Sequence, residues 1–231
     1  EIERRFQVTN MVIRLNFDKK ISEDLIINAF LGANKMRRFS RRTTIASSGG
    51  LVIDKFFNVA NSVESNVTKY EDDDSFDHQE RGINSIYGAV TLNWKELLYL
   101  DISARNDWSS TLPEENNSYF YPSTSLSFVF SELIDTNVID FGKIRVSRAQ
   151  AGNDASPYKL LDVFSPEPPN FGSNPLYKVP SSRNNPNLRS ELTTEYEVGV
   201  DLRMFNNRLF VDAAYYDRKT TDQVFDVDSP Y

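Results

Sequence analysis

Carboxylates, hydroxyls and arginines are the side chains of this 231-residue chain that could do chemistry. Glu195 and Glu197 stand two residues apart, and paired carboxylates carry the acid–base chemistry of glycosidases. Acidic residues at alternate positions are, however, also expected on any strand with one wet face. The chain has one histidine, His78, and no cysteine, which excludes a Ser-His-Asp triad elsewhere and any multi-histidine or thiolate metal site. We therefore predict no catalytic residue, no resident metal and no cofactor.

Two charged clusters have a functional explanation and an ordinary one. The acidic run EDDDSFDHQE at 71–80 could bind calcium, but it lacks the Gly and Glu spacing of an EF-hand loop, and a solvated loop explains it better. The arginines at 37, 38, 41 and 42 could meet an anionic substrate or lipopolysaccharide, or they could pair with carboxylates at the base of a loop. The net charge of −7 argues against a nucleic-acid partner, because phosphate contacts need an excess of Lys and Arg.

The elements that would position these groups are strands, because apolar residues recur at every second position. The segment 120–130, for example, places Phe120, Leu126 and Phe128 opposite a row of serines. Arg148 falls on the otherwise apolar side of the weakest segment. No apolar run approaches the roughly 18 residues of a transmembrane helix, whereas a transmembrane strand needs only about ten alternating residues. The strand segments are 9–17, 25–33, 86–94, 98–104, 120–130, 142–150, 196–204 and 209–215.

The connections between these segments alternate in length. We expect short connections at 18–23, 95–97, 132–141 and 206–207, and long ones at 35–81, 109–118 and 153–193. This pattern is typical of an outer-membrane barrel, with short periplasmic turns and long extracellular loops. The fold prediction is all-β, an antiparallel transmembrane β-barrel segment of about eight strands. The alternative is a soluble β-sandwich that acts as a carbohydrate-binding or adhesin module, which would express alone as a soluble monomer.

Aromatic residues lie near the ends of the apolar faces, where membrane barrels carry aromatic girdles. A sandwich core would also contain such residues, so this placement supports the barrel only together with the loops. The predicted membrane-interface aromatics are Trp94, Trp108, Phe120, Phe130, Tyr196 and Tyr215.

The stretch MFNNRLF predicts a hairpin with Asn206-Asn207 as a two-residue type I′ turn, because Asn tolerates the positive φ that this turn needs. Phe205 would then lie opposite Arg208. The same register pairs apolar residues on one face, and a slip by one residue would place charges beside them. The expected pairs are Met204 with Leu209, Leu202 with Val211, Val200 with Ala213 and Val198 with Tyr215.

Three long stretches resemble the SusC/RagA family of TonB-dependent outer-membrane transporters of Bacteroidetes, and the resemblance runs from about residue 8 to the end. They are NSIYGAVTLNWKELLYLDISARNDWSSTLPEENNSYFYPSTSLSFVFSEL, GKIRVSRAQAGND and NPNLRSELTTEYEVGVDLRMFNNRLFVDAAYYDRKTTDQV. The resemblance implies a bacterial outer-membrane barrel of about 22 strands, with an N-terminal plug that contacts TonB. It also implies a SusD-like surface lipoprotein as a lid, and a glycan or peptide as cargo. We expect residues 1–231 to be a partial barrel domain, with the plug and the closing C-terminal strands outside it.

The resemblance places the lid and the cargo beside the long loops 35–81 and 153–193. Long loops without secondary structure of their own are usually functional or disordered, and we expect these two to be ordered. In the Pro-rich stretch 165–180, Phe171 and Tyr177 are the predicted contacts for lid or cargo. An ordered loop that packs only on its neighbours is the alternative. Just beneath the loops, the predicted lumen-facing contacts are Arg105, Asp107, Glu195 and Glu197.

Overall fold

The computed structural model describes residues 2–44, 48–56, 58–64, 78–134, 136, 138–166, 171–180 and 183–225. Within these ranges, none of the helices is long and apolar enough to cross a membrane; the helices are short 3-10 turns at Val59–Asn61, Glu114–Asn116 and Phe130–Leu133. The strands of the same ranges are β1 (Ile2–Lys20), β2 (Leu25–Thr44), β3 (Ser48–Leu51), β4 (Ser62–Glu64), β5 (His78–Trp94), β6 (Leu98–Ser109), β7 (Ser118–Phe128), β8 (Ile139–Asn153), β9 (Ser165–Pro166), β10 (Tyr177–Lys178), β11 (Glu191–Met204) and β12 (Leu209–Thr221).

The eight long strands form one sheet in the order β1-β2-β5-β6-β7-β8-β11-β12. Every pairing from β5 to β12 is antiparallel. The short strands pair as β3 with β4 and β9 with β10. All eight predicted strands are present, so the all-β prediction is confirmed. A sandwich would need a second sheet packed on the first, and the described part of the chain has only these two-stranded additions.

The chain divides into two compact units. The first comprises residues 1–10 and 36–82, and the second comprises residues 11–35 and 83–231. In the first unit, Asn61 closes the β3–β4 hairpin. Its side chain accepts a hydrogen bond from the backbone N–H of Ile53 (2.9 Å) and donates to the carbonyls of Ile53 and Phe56 (both 2.7 Å). The second unit contains a small core cluster of Leu112, Tyr119 and Ala155.

Seven of the eight long strands are longer than predicted, and β7 alone keeps its predicted length. The longest are β1, β2 and β5, which have 19, 20 and 17 residues, against the roughly ten that a membrane requires. The arginines at 37, 38, 41 and 42 therefore lie on β2, and their prediction as a loop base is wrong. Residues 71–77 of the acidic run lie outside the described residues. His78 opens β5, with its Nε2 atom 3.1 Å from a Glu80 carboxylate oxygen.

The alternation of short and long connections is not strict. Residues 129–138 separate β7 from β8, whereas the shorter stretch 110–117 separates β6 from β7. The Val129 N–H still donates to the Leu97 carbonyl (2.8 Å), and the chain then turns away in the 3-10 turn Phe130–Leu133. Phe130 consequently lies beyond the strand, and the prediction that the strand reaches it is wrong. Its ring lies against Gly142, in the space that a side chain at that position would need.

The hairpin at MFNNRLF has the predicted register. All four apolar pairs, from Val198 with Tyr215 to Met204 with Leu209, are present. The turn type is different, because the strands end at Met204 and resume at Leu209. Three consecutive residues, Phe205, Asn206 and Asn207, have positive φ (57°, 56° and 58°). The Arg208 N–H donates to the Met204 carbonyl at 3.1 Å, which makes a four-residue turn instead of type I′.

Tertiary contacts explain the wider turn. The Phe205 N–H donates to the carbonyl of Val138, and the Asn207 N–H donates to the Asp140 carboxylate, both at 3.0 Å. These bonds hold the turn against the preceding connection of the sheet. They give the backbone N–H groups of Phe205 and Asn207 acceptors outside the hairpin. Contact with the neighbouring residues 138–140 therefore determines the turn type.

Candidate functional site

One face of the sheet is apolar across six strands. The antiparallel register aligns residues in rungs, where a rung is the set of residues directly opposite one another on neighbouring strands. Side chains on this face are open to the surroundings: Val198 is 52% exposed. A continuous exposed apolar surface of this kind requires a non-aqueous neighbour. The two apolar rungs are Leu92, Leu100, Leu126, Val146, Val198, Tyr215 and Trp94, Leu98, Phe128, Ile144, Val200, Ala213.

The opposite face carries small hydroxyls and charges. The Thr91 hydroxyl donates to the Asp101 carboxylate at 2.6 Å, and the hydroxyls of Ser103 and Ser123 are 2.7 Å apart. These short side chains leave a recess of about 330 Å³ against this wall. A face built in this way suits contact with water or with another polar chain, because each hydroxyl can still accept or donate further hydrogen bonds.

An ion-pair network occupies this polar face on β8, β11 and β12. The guanidinium of Arg145 donates to Glu197 (3.0 Å), Asp201 (2.7 Å) and Asp212 (3.2 Å). Lys143 adds a second contact to Asp201, at 2.7 Å. We call these five residues the Arg145 network. It joins three neighbouring strands through charge-assisted hydrogen bonds, which are stronger than neutral ones.

Gly199 makes room for this network. It lies directly opposite Arg145 in the register, and an added Cβ would come within 2.6 Å of the guanidinium. The side chain of Arg145 can therefore cross β11 only because this position has no side chain of its own.

A second polar cluster lies on β5, β6 and β7, in the middle of the strand order. Arg105 donates to Asp107 (2.7 Å) and to the Ser85 hydroxyl (2.9 Å), while the Tyr121 hydroxyl donates to Asp107 (2.6 Å). The Arg105 guanidinium also lies 5.4 Å from the centre of the Tyr87 ring. The Asp107 side chain is only 6% exposed. It therefore acts within the wall as the acceptor that fixes Arg105 and Tyr121.

The four predicted lumen-facing contacts do not form one group. Arg105 and Asp107 belong to the cluster on β5–β7, whereas Glu197 belongs to the Arg145 network. Glu195 pairs with Arg218 on β12. The register places Glu195 on the rung of Ser123, and Glu197 one pair of residues lower. Contact of any of them with cargo or lid stays a prediction.

The beginning of the connection 154–190 is tied to the loop between β6 and β7. The carboxylate of Asp154 accepts hydrogen bonds from the hydroxyls of Ser109 and Thr111, and all three residues are buried. Leu188, near the end of the same connection, packs against the core cluster around Leu112. Both ends of this loop are therefore fixed on the sheet.

The middle of this connection projects apolar side chains into the open. β9 and β10 form a small hairpin arm, in which Tyr177 pairs with Pro166. Phe171 and Asn174 form a bridge around Gly172, whose φ is +64°. Phe171 is 76% exposed and Tyr177 is 59% exposed; contact of either with lid or cargo stays a prediction. Other exposed apolar residues nearby are Leu161, Val163, Phe164, Leu176 and Val179.

Five of the six predicted interface aromatics lie on the long strands. Trp94 ends β5 beside the short turn at 95–97, and three of the others lie towards the opposite ends of their strands. Tyr215, however, is the middle residue of β12, so its predicted place at a strand end is wrong. All five side chains are exposed, as residues at a membrane interface must be. Their contact with a membrane interface stays a prediction. The other four are Trp108, Phe120, Tyr196 and Tyr215.

Comparison with known proteins agrees with this architecture. Residues 15–231 match the family model described as TonB dependent receptor-like, beta-barrel. The chain belongs to the TonB-dependent receptor β-barrel family. Proteins of this family are located in the outer membrane of Gram-negative bacteria, so the apolar face is the membrane face of the wall and the polar face is its lumen face.

The chain is similar to two curated receptors from Formosa agariphila. It is 28% identical to TonB-dependent receptor P26 over 94% of the chain, and 30% identical to TonB-dependent receptor P3 over 63% of the chain. It spans 22% and 15% of the lengths of these relatives.

Among solved structures, the RagAB peptide transporter superposes on the whole chain with a TM-score of 0.79 at 21% identity, and the chain covers 26% of it. The siderophore receptor PirA from Pseudomonas aeruginosa superposes on 94% of the chain with a TM-score of 0.56 at 13% identity, and the chain covers 32% of it. These likenesses show that the fold is that of a barrel wall.

Two features of the wall were not found from the sequence. The Arg145 network could have been predicted in part, because the hairpin register already places Asp201 opposite Asp212, and a cation beside them is expected. No sequence pattern predicted the hydrogen bonds of Asp154 with Ser109 and Thr111. They depend on how two loops meet above the sheet.

Proposed function

We propose that this chain forms about eight strands of the barrel wall of a TonB-dependent importer that takes up glycans or peptides with a SusD-like surface lipoprotein. The wall supplies a membrane face, a hydrated lumen face and an exposed loop arm. TonB acts through parts of the importer other than this wall. The feature that carries the proposal is the exposed apolar arm at 161–179.

The arm is suited to bind another protein. Because both ends of the connection are held on the sheet, the arm has fewer positions open to it than a free loop, and less conformational entropy is lost when a partner covers it. Aromatic residues such as Phe171 and Tyr177 contribute most to interfaces of this kind. The connection 154–190 lies at the end of the sheet opposite the short turns 95–97 and 205–208, which is the extracellular end of an outer-membrane barrel.

The test uses the protein encoded by the complete reading frame, expressed with the lipoprotein encoded beside it. Deletion of 165–180 removes the arm, and Phe171→Ser with Tyr177→Ser removes only its two aromatic side chains. The matched control is Leu133→Ser with Ile134→Ser, since these residues are also exposed but lie in the connection at the opposite end of the sheet. Lipoprotein co-purification and uptake of labelled oligosaccharide and peptide are measured for each variant.

We expect both arm variants to lose lipoprotein capture and uptake while barrel assembly is retained, and the control to behave as the wild type. Uptake of only one labelled cargo by the wild type identifies the cargo class. If both arm variants capture the lipoprotein and transport cargo normally, the proposed role of the arm is wrong.

A further inference from the structure

On β6, β7, β8 and β11, one cation interrupts the membrane face of the wall. On β12 the same face carries Asp217 opposite Tyr196 and Lys219 opposite Thr194. Arg148 is the only charged side chain on the membrane face of β8 between Gly142 and Gly152. The aligned positions of β6, β7 and β11 on the same face carry no charge. It is exposed and forms no ion pair with any residue that the structure describes. Its one bonded partner is Tyr196: the Arg148 Nε–H donates to the tyrosine hydroxyl at 3.2 Å, and the guanidinium lies 5.8 Å from the ring centre.

The rung of Arg148 places three hydrogen-bond donors side by side. Thr124 lies directly opposite Arg148 on β7, and Tyr196 lies directly opposite it on β11. Because the Tyr196 oxygen accepts from Arg148, its own O–H remains able to donate. The guanidinium keeps its terminal N–H groups free for a further acceptor, and its planar fork matches two oxygens of a phosphate.

The adjacent rung below is fully apolar. Leu126, Val146 and Val198 lie two residues away on the same three strands and are all exposed on the membrane face. A ligand here must therefore combine an anionic group, level with Arg148, with hydrocarbon below it. Lipids with phosphate in the headgroup have this construction.

We propose that Thr124, Arg148 and Tyr196 bind the headgroup phosphate of a membrane lipid, whose acyl chain lies along Leu126, Val146 and Val198. An arginine near the end of the apolar band costs far less than one at the midplane. A phosphate bound at this position offsets the cost of placing the guanidinium there, because the two opposite charges attract each other. The site thereby fixes the height at which this part of the wall sits in its leaflet.

The experiment uses the protein of the complete reading frame in maltoside micelles, which contain no phosphate. Phosphatidylglycerol is titrated in, and the first bound lipid is counted by native mass spectrometry. Galactosyl diacylglycerol with the same acyl chains is the lipid control, and inorganic phosphate is added as a competitor. The variants are Arg148→Gln, Arg148→Lys and Tyr196→Phe. Arg203→Gln is the matched protein control, because it removes the same charge from the lumen face of β11.

We expect Arg148→Gln to weaken phosphatidylglycerol binding about fivefold, the size expected of one basic residue at a lipid surface. Arg148→Lys should keep part of the affinity, because the charge remains without the fork, and Tyr196→Phe should lose less than Arg148→Gln. Galactolipid binding should not change in any variant. The proposal is overturned if Arg148→Gln binds phosphatidylglycerol as the wild type does, or if Arg203→Gln loses as much. It is also overturned if millimolar inorganic phosphate displaces the lipid, which would indicate an adventitious ion only.

Discussion

Arg145 and Arg148 stand three residues apart on β8 and face opposite sides of the wall. Arg145 lies on the lumen face and contacts three carboxylates from two neighbouring strands. Arg148 lies on the membrane face and has one tyrosine as its partner, with apolar residues on the rung below. The same residue type on the same strand is thus a cross-link between strands in one case and an isolated cation in the other.

The difference shows that period two determines which face of a membrane barrel, and therefore which solvent, a side chain meets. A shift by one residue moves every group from hydrocarbon to water or back. Charge is tolerated on the lumen face because carboxylates and water are both available there. On the membrane face it is tolerated only near the end of the apolar band, where phosphate and water can be reached.

The largest expected effect comes from a charge placed in the middle of the membrane face. Leu126→Arg puts a guanidinium into the rung of Leu100 and Val146, and we expect a loss of about 2–4 kcal/mol in the free energy of unfolding, as for arginine near the bilayer midplane. Ser125→Arg, one residue away on the lumen face, should cost little. Denaturant unfolding of the barrel folded in lipid vesicles measures both. Equal losses at 125 and 126 would contradict the assignment of the two faces.

The second effect concerns Arg145 itself. Arg145→Leu leaves Glu197 and Asp212 without their cation, and we expect a loss of about 1–2 kcal/mol, because partly exposed ion pairs contribute about 1 kcal/mol or less each. Lys143 remains to balance Asp201. The same unfolding measurement applies, with Arg203→Leu as the control for removal of a lumen-face charge outside the network. A loss no larger than that of the control would show that the Arg145 network does not join the strands energetically.

A smaller effect tests the role of Gly199. Gly199→Ala places a methyl group where the Arg145 guanidinium lies, so the arginine must move and loosen its bonds. In the Arg145→Leu background the same alanine should cost nothing, and the double-mutant cycle should give a coupling energy of about 1 kcal/mol. Additive effects of the two substitutions would mean that the glycine serves the strand for another reason.

The smallest effect is expected at Arg148. In maltoside micelles, Arg148→Leu should change the free energy of unfolding by less than about 0.5 kcal/mol, as for a surface substitution, because its contacts with Tyr196 are exposed. The same change at Arg145 is expected to cost several times more. A large destabilisation by Arg148→Leu without any phosphate present would reveal a structural role for the arginine within the wall, and would weaken the contrast between the two residues.

Much of the wall could be predicted from alternation. The apolar segments on β5, β6, β7 and β11 lie where the pattern places them, and the register of the last hairpin follows from keeping apolar pairs on one face. The alternation did not predict the parts of the strands that extend past the apolar band. On β2, the polar run after Lys35 continues as a strand, because backbone pairing with a neighbour does not require apolar side chains.

The candidate site was harder to predict than the strands. Phe171 and Tyr177 were singled out by composition, and the structure places both in the open. Alternation placed Arg105 and Asp107 on the same face of one strand, but the hydrogen bond that Asp107 accepts from Tyr121 on the next strand was not predicted. Alternation assigns a face to each residue and says nothing about which partner its side chain will reach.

The sequence by itself determined the strands, their two faces and the family, because period two and long local motifs are properties of the linear chain. Only the tertiary structure decided the four-residue turn at 205–208, the departure of Phe130 from β7, the meeting of three carboxylates at Arg145 and the isolation of Arg148. Each of these depends on a contact between strands or connections that are distant in sequence. Such contacts become defined only when register and loop packing bring the groups within hydrogen-bonding distance.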